Sequence, residues 1–210
     1  MKSASITRVE SDFQISSLDD PAWELGCDIV INRYWSDVEA PEGRWFRAVM
    51  LWSDSFLYLK FNAAQHESLE IAEQPDITSK TIGLWDRDVC EIFIAPDPAD
   101  RNTYFEFEIA PTAEWIDLGI VVTPTGRLTD INYSSNMQSA ARIGHDTVVM
   151  AIKLPFASLG TTPKRGDVWV GNIFRCVGRA PDRGYLAWCP TKTKTPSFHV
   201  PEAFGEFTFV

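Results

Sequence analysis

Three carboxylates in this chain stand where carboxylates are costly. In Val89-Cys90-Glu91-Ile92-Phe93 an acid interrupts an apolar run, and in Tyr104-Phe105-Glu106-Phe107-Glu108-Ile109 two more alternate with apolar residues. A period of two puts Glu91 on the face of Val89 and Phe93. It puts Glu106 and Glu108 on one face and Phe105, Phe107 and Ile109 on the other. A carboxylate on such a strand must be paired, hydrogen-bonded or open to a cleft. Two such strands side by side would make a polar floor, since ionised carboxylates accept hydrogen bonds from paired hydroxyl groups. Glu91 and Glu106 could instead be the two carboxylates of a glycosidase, which stand roughly 5–10 Å apart. Arg175, in Asn172-Ile173-Phe174-Arg175-Cys176, is a charge on another strand. A buried ion pair with Glu91 or Glu106 would account for all three without any ligand.

Aromatic residues are the second signal: 8 Trp, 13 Phe and 5 Tyr. Most must fill a core. Two stand in polar turns instead, Trp85 in Gly83-Leu84-Trp85-Asp86-Arg87-Asp88 and Phe198 in Thr193-Lys194-Thr195-Pro196-Ser197-Phe198-His199. A ring held in a polar loop can stack on the C–H face of a sugar, or fold back on the sheet beneath it. Other chemistry has little support. His66, His145 and His199 are isolated, and no GxSxG elbow, Walker loop or GxGxxG occurs. Cys27, Cys90, Cys176 and Cys189 have no zinc-ligand spacing and are read as four buried thiols.

The elements that must position these residues are strands. Arg44–Trp52 and Phe56–Phe61 flank a turn at Ser53-Asp54-Ser55 and read as a hairpin. Further strands are expected at 89–95, 103–110, 114–122, 127–133, 147–154, 168–177, 185–189 and 206–210, rich in Val, Ile, Phe, Tyr and Trp. One helical turn is expected over Pro155–Gly160 and another over His66–Ile71, while 65–84 reads as a long surface loop. This many punctuated strands implies an all-β, antiparallel two-sheet sandwich, a single domain over residues 1–210.

Composition bounds the rest. Of 210 residues, 45% are hydrophobic and 23% charged, which excludes a wholly disordered chain. The net charge of −10 disfavours nucleic acid and anionic membranes, both of which call for a basic face. No apolar run approaches the roughly 20 residues of a membrane span. The first residues lack the apolar stretch of a signal peptide, which implies a protein that stays inside the cell or a chain that begins after a removed signal.

Several ordered motifs together resemble the family 9 carbohydrate-binding modules. They are Trp85 followed by Asp88-Val89-Cys90-Glu91, then Tyr185-Leu186-Ala187-Trp188, then Phe198-His199-Val200-Pro201-Glu202-Ala203-Phe204-Gly205, with the hairpin Ala48–Phe61 ahead of them. The likeness runs from about Asp20 to the end. It implies an immunoglobulin-like or jelly-roll sandwich and non-catalytic binding of an oligo- or polysaccharide. In that pattern Trp85 and Phe198 clamp a sugar ring. Glu91 holds its hydroxyls, and Glu106 falls where the family has a basic residue. Thr195 replaces an amide, His199 takes a polar position, and Trp188 is a third wall or core. The resemblance also implies structural calcium, for which Asp86-Arg87-Asp88 and Asp97-Pro98-Ala99-Asp100 are the acidic loops at hand. A glycoside hydrolase and a protein-interaction module are the alternatives.

Overall fold

The hairpin at Ser53 forms as expected. The Ser53 hydroxyl accepts hydrogen bonds from the amides of Ser55 and Phe56, which turns the chain at the point where apolar alternation breaks off. In the computed structural model, which describes residues 1–210, the strands are β1 (Ser3–Arg8), β2 (Ile29–Ile31), β3 (Phe46–Trp52), β4 (Phe56–Ala64), β5 (Val89–Ala95), β6 (Thr103–Ile109) and β7 (Trp115–Thr123). They continue as β8 (Gly126–Asp130), β9 (Gln138–Ile143), β10 (Thr147–Pro155), β11 (Val168–Val177), β12 (Gly184–Ala187) and β13 (Gly205–Phe209). Helical structure is confined to short 3-10 turns, one of them at Phe156–Leu159 and closed by Gly160 in the left-handed region. The turn expected over His66–Ile71 is absent.

All-β is the outcome, but the purely antiparallel pair of sheets is not. The strands follow one continuous path, β8-β7-β6-β5-β11-β13-β1-β3-β4-β10-β9, with β12 beside β11 and β2 beside β3. The path is mixed, because β1 runs parallel to both of its neighbours. Ser3–Ile6 pair with Glu206–Phe209 of β13, and Thr7 and Arg8 pair with Leu51 and Trp52 of β3. β1 thus passes from one half of the sheet to the other. Its sequence, Ser-Ala-Ser-Ile-Thr-Arg, carries one large apolar side chain, Ile6. Strong alternation was therefore missing where the sheet closes.

The sheet curls so that alternate residues of both halves meet. A cluster of 32 buried residues draws Ile92, Ile94, Phe107, Ile173 and Phe207 from one half and Phe46, Met50, Leu59, Phe61 and Ile152 from the other. The opposite face of the first half is apolar as well. There Val89, Phe93, Tyr104, Leu118, Phe174 and Cys176 form a second cluster, covered from the loop side by Leu84, Phe198 and Phe204. The functional candidates lie on this outer face. Cys90, Cys176 and Cys189 are buried thiols, whereas Cys27 is exposed, contrary to expectation.

Candidate functional site

Register builds the floor. Across β11, β5 and β6, Phe174 stands opposite Glu91 and Glu91 opposite Glu108; one step along, Phe93 stands opposite Glu106. Paired residues share a face, so all three glutamates project from the outer face, away from the main core. Their nearest carboxylate oxygens lie within 4.8 Å of one another, and all three residues are buried. Burial pushes the three carboxyl pKa values up, and repulsion from the neighbouring acids adds to this at Glu91 and Glu108. The Cys176 thiol donates to Glu91 Oε1 at 3.4 Å. Neither oxygen of Glu108, nor Oε2 of Glu106, has a donor within reach. A bond between Glu106 and Glu108 therefore requires a proton on one of them.

A cleft of about 480 Å³ opens above Glu91 and Glu106. That volume falls within the roughly 300–1,000 Å³ of small-molecule sites. Trp85 forms one wall and keeps 41% of its surface exposed. It sits in a 3-10 turn, Leu84–Asp86, entered through Gly83 at a φ of +83°, a left-handed conformation that glycine adopts without strain. Leu84 anchors the turn in the outer cluster. Arg183 ties it down from the other side, donating to the carbonyls of Trp85, Arg87 and Gly178. The Arg183 guanidinium also lies 5.7 Å from the centre of the Tyr185 ring, which lines the cleft as well.

Further lining comes from the loop after β12. Phe198 lines the cleft but is 9% exposed, because one face of its ring stacks on Phe174 at 4.1 Å and 12°. It is an inner wall and not a free loop ring. His199 stacks on Phe93 at 5.0 Å and shares a hydrogen bond with the Tyr104 hydroxyl through Nδ1 at 2.8 Å. Burial, with the charge of Arg127 adding, pushes its pKa down to about 3, so the imidazole is neutral at ordinary pH. Its Nε2 lies 3.9 Å from Glu106 Oε2, beyond hydrogen-bond range.

Of the residues singled out from sequence, Trp85, Glu91, Glu106, Phe198 and His199 therefore meet at one cleft. Three do not. Arg175 stands opposite Cys90, one residue out of phase with Glu91, and so faces the other way. Its guanidinium donates to the carbonyls of Arg44 and Ala64 and to Gln65 Oε1, so the suspected ion pair with Glu91 or Glu106 is absent. Trp188 is core, stacked on Phe207 at 5.2 Å and 11°. Thr195 is exposed beside the cleft, where Pro196 and Ser197 line it instead.

Sequence reading missed Arg127, Arg183 and Tyr185 as lining residues. Tyr185 opens the motif Tyr185-Leu186-Ala187-Trp188, and Arg183 lies two residues before it. Neither position showed where its side chain points.

In the acidic loops at Asp86–Asp88 and Asp97–Asp100, two carboxylates are engaged by backbone amides. Asp88 accepts from the amides of Gly178 and Glu70 at 2.7 and 3.3 Å, and Asp97 from the amide of Ala99 at 2.9 Å. These carboxylates close local turns and loop contacts. Three acidic, histidine or cysteine side chains come within ligand reach of one another at one place, the three glutamates of the floor.

A curled all-β sheet with a ligand-sized cleft on its outer face defines a small β-rich module. The family model described as Carbohydrate-binding family 9 matches residues 34–209, and the chain belongs to that family. An extracellular protein of Arthroderma benhamiae is 25% identical over 177 residues, which cover 77% of each chain. Among solved structures, a candidate carbohydrate-binding protein from Bacteroides uniformis superposes with a TM-score of 0.74 at 17% identity, over 100% of this chain and 99% of that one. A family 9 module from Caldicellulosiruptor kristjanssonii, solved in complex with glucose, superposes with a TM-score of 0.70 at 12% identity, over 100% and 96%. The cellotriose complex from that organism gives 0.70 over 99% and 93%.

Proposed function

We propose that this protein binds carbohydrate without altering it, holding a terminal sugar ring in the cleft between Trp85 and Phe198. One observation carries the reading: a half-exposed tryptophan stands at the lip of a cleft whose floor is lined by carboxylates, in a chain of carbohydrate-binding family 9. The neighbours solved with glucose and cellotriose support a glucose-type ligand. Trp85 offers the apolar face of a stacking platform. Phe198, backed by Phe174, closes the inner side. Glu91 and Glu106 accept from ring hydroxyls, while Arg127 lines the same cleft and brings donors that position 106 lacks. A shallow site of this kind supports affinities on the order of micromolar to millimolar.

Titration of tryptophan fluorescence with glucose and cello-oligosaccharides tests the reading. We expect a saturable change, and a loss of affinity of about tenfold or more in Trp85→Ala. A saturable response that Trp85→Ala leaves unaltered would move the ligand elsewhere. Release of reducing ends from the oligosaccharides, lost in Glu91→Gln, would make the protein a hydrolase.

A further inference from the structure

We propose that Glu91, Glu106 and Glu108 together hold a hard divalent cation, such as Ca²⁺, beneath the aromatic cleft. Three carboxylate oxygens within 4.8 Å of one another leave a point no more than about 2.8 Å from all of them, by simple geometry. Calcium–oxygen distances are roughly 2.3–2.6 Å, so the triangle has to contract by only a few tenths of an ångström. Glu108 supplies the independent sign that something is missing. It is fully buried, both of its oxygens lack a donor, and it projects into the cluster from the strand beside Glu91. An isolated carboxylate in such a place is costly, and a cation would satisfy it together with Oε2 of Glu106.

The donor set argues for a hard ion. All three donors are carboxylates, and the adjacent sulfur, Cys176, already donates to Glu91 Oε1. His199 is already engaged through Nδ1 with Tyr104. An entry path exists, because Glu91 and Glu106 line the cleft. Water would complete the coordination from the cleft side. The loops at Asp86–Asp88 and Asp97–Asp100 lack this convergence, and Lys80 is committed to another buried acid, Asp117, at 2.5 Å. The competing account is a shared proton between the acids, which would leave no room for a metal.

The test uses no sugar, so its result is separate from the carbohydrate reading. The chelator-treated protein is titrated calorimetrically with CaCl₂, and its melting temperature is recorded with and without 1 mM CaCl₂, with MgCl₂ and MnCl₂ as further arms. We expect one ion per chain, a dissociation constant of about 10⁻³ M or tighter, and a higher Tm with the ion. Glu108→Gln should weaken binding at least tenfold while melting, in chelator, no lower than the parent, because it removes a buried charge. Should that variant fail to fold, Glu106→Gln carries the same expectation. Asp97→Asn should bind as the parent does. The proposal is overturned by an absence of heat and Tm shift with all three ions, by unchanged affinity in the glutamine variants, or by loss of binding in Asp97→Asn alone.

Discussion

At the scale of single residues, what decides the site is how Trp85 is held. A tryptophan on a flexible loop would lose ordering entropy when it stacked on a ligand. Here Arg183 fixes the turn by donating to the carbonyls of Trp85 and Arg87. It acts through Trp85, as a positioning residue. Arg183→Ala should therefore weaken sugar binding by about fivefold, roughly 1 kcal/mol, as a loss of preorganisation. In Trp85→Ala the same substitution should have almost no further effect. Fluorescence titrations of the four proteins of that cycle give the coupling; additive losses would mean that Arg183 touches the ligand on its own account. The residues most legible in the sequence were those that broke a pattern: Glu91, Glu106 and Glu108 among apolar neighbours, and Trp85 in a polar turn. Arg175 broke a pattern too, yet its partner depended on cross-strand register. Phase with Cys90 sends it to the opposite face from Glu91, and a single sequence does not disclose that phase.

At the scale of elements, the long polar segment 65–83 is a strap and not loose surface. Lys80 reaches the buried Asp117 on β7 at 2.5 Å and donates to the carbonyls of Asp117, Ile131 and Tyr133. Arg44 clamps Glu67 through two hydrogen bonds at 2.7 and 2.9 Å, and Asp88 pairs backbone with Glu70. The strap leads directly into the Trp85 turn. Asp117 is fully buried, and its other oxygen already accepts from the amide and hydroxyl of Ser135. Lys80→Met should then leave a buried charge without its cation, a loss of about 3–5 kcal/mol, or at least about 6 °C in Tm for a chain of this size. Adding Asp117→Asn should restore part of it. Thermal melts of both variants check this, and a shift under about 2 °C in Lys80→Met would mean that the pair is solvent-screened. Sequence reading found the strap only as a weakly patterned stretch, because its order comes from single polar contacts that carry no periodicity. The strands densest in apolar residues were legible almost to the residue, β5 and β11 above all.

At the scale of the whole molecule, closure rests on a strand that the pattern did not announce. β1 gives its first four residues to β13 and its last two to β3. Without it the backbone would join the two halves chiefly beside β12, where Tyr34 bridges Leu186, and β13 and the end of β3 would present unpaired edges. Ile6, fully buried, joins the shared core at that seam. Ile6→Ala should lower unfolding free energy by about 2–5 kcal/mol while leaving a single transition of unchanged urea dependence, since the backbone seam remains. Removing residues 1–8 is a different perturbation. It takes away the ladder as well as the side chain, so the halves lose their covalently continuous route of hydrogen bonds. We expect the urea transitions followed by far-UV circular dichroism and by tryptophan fluorescence to separate in that protein and to coincide in Ile6→Ala. Coincident transitions in the shortened chain, with the parent's steepness, would show instead that the common core of 32 residues couples the halves by itself. The outer-face cleft would then owe its stability to packing across the core and not to the continuity of the sheet.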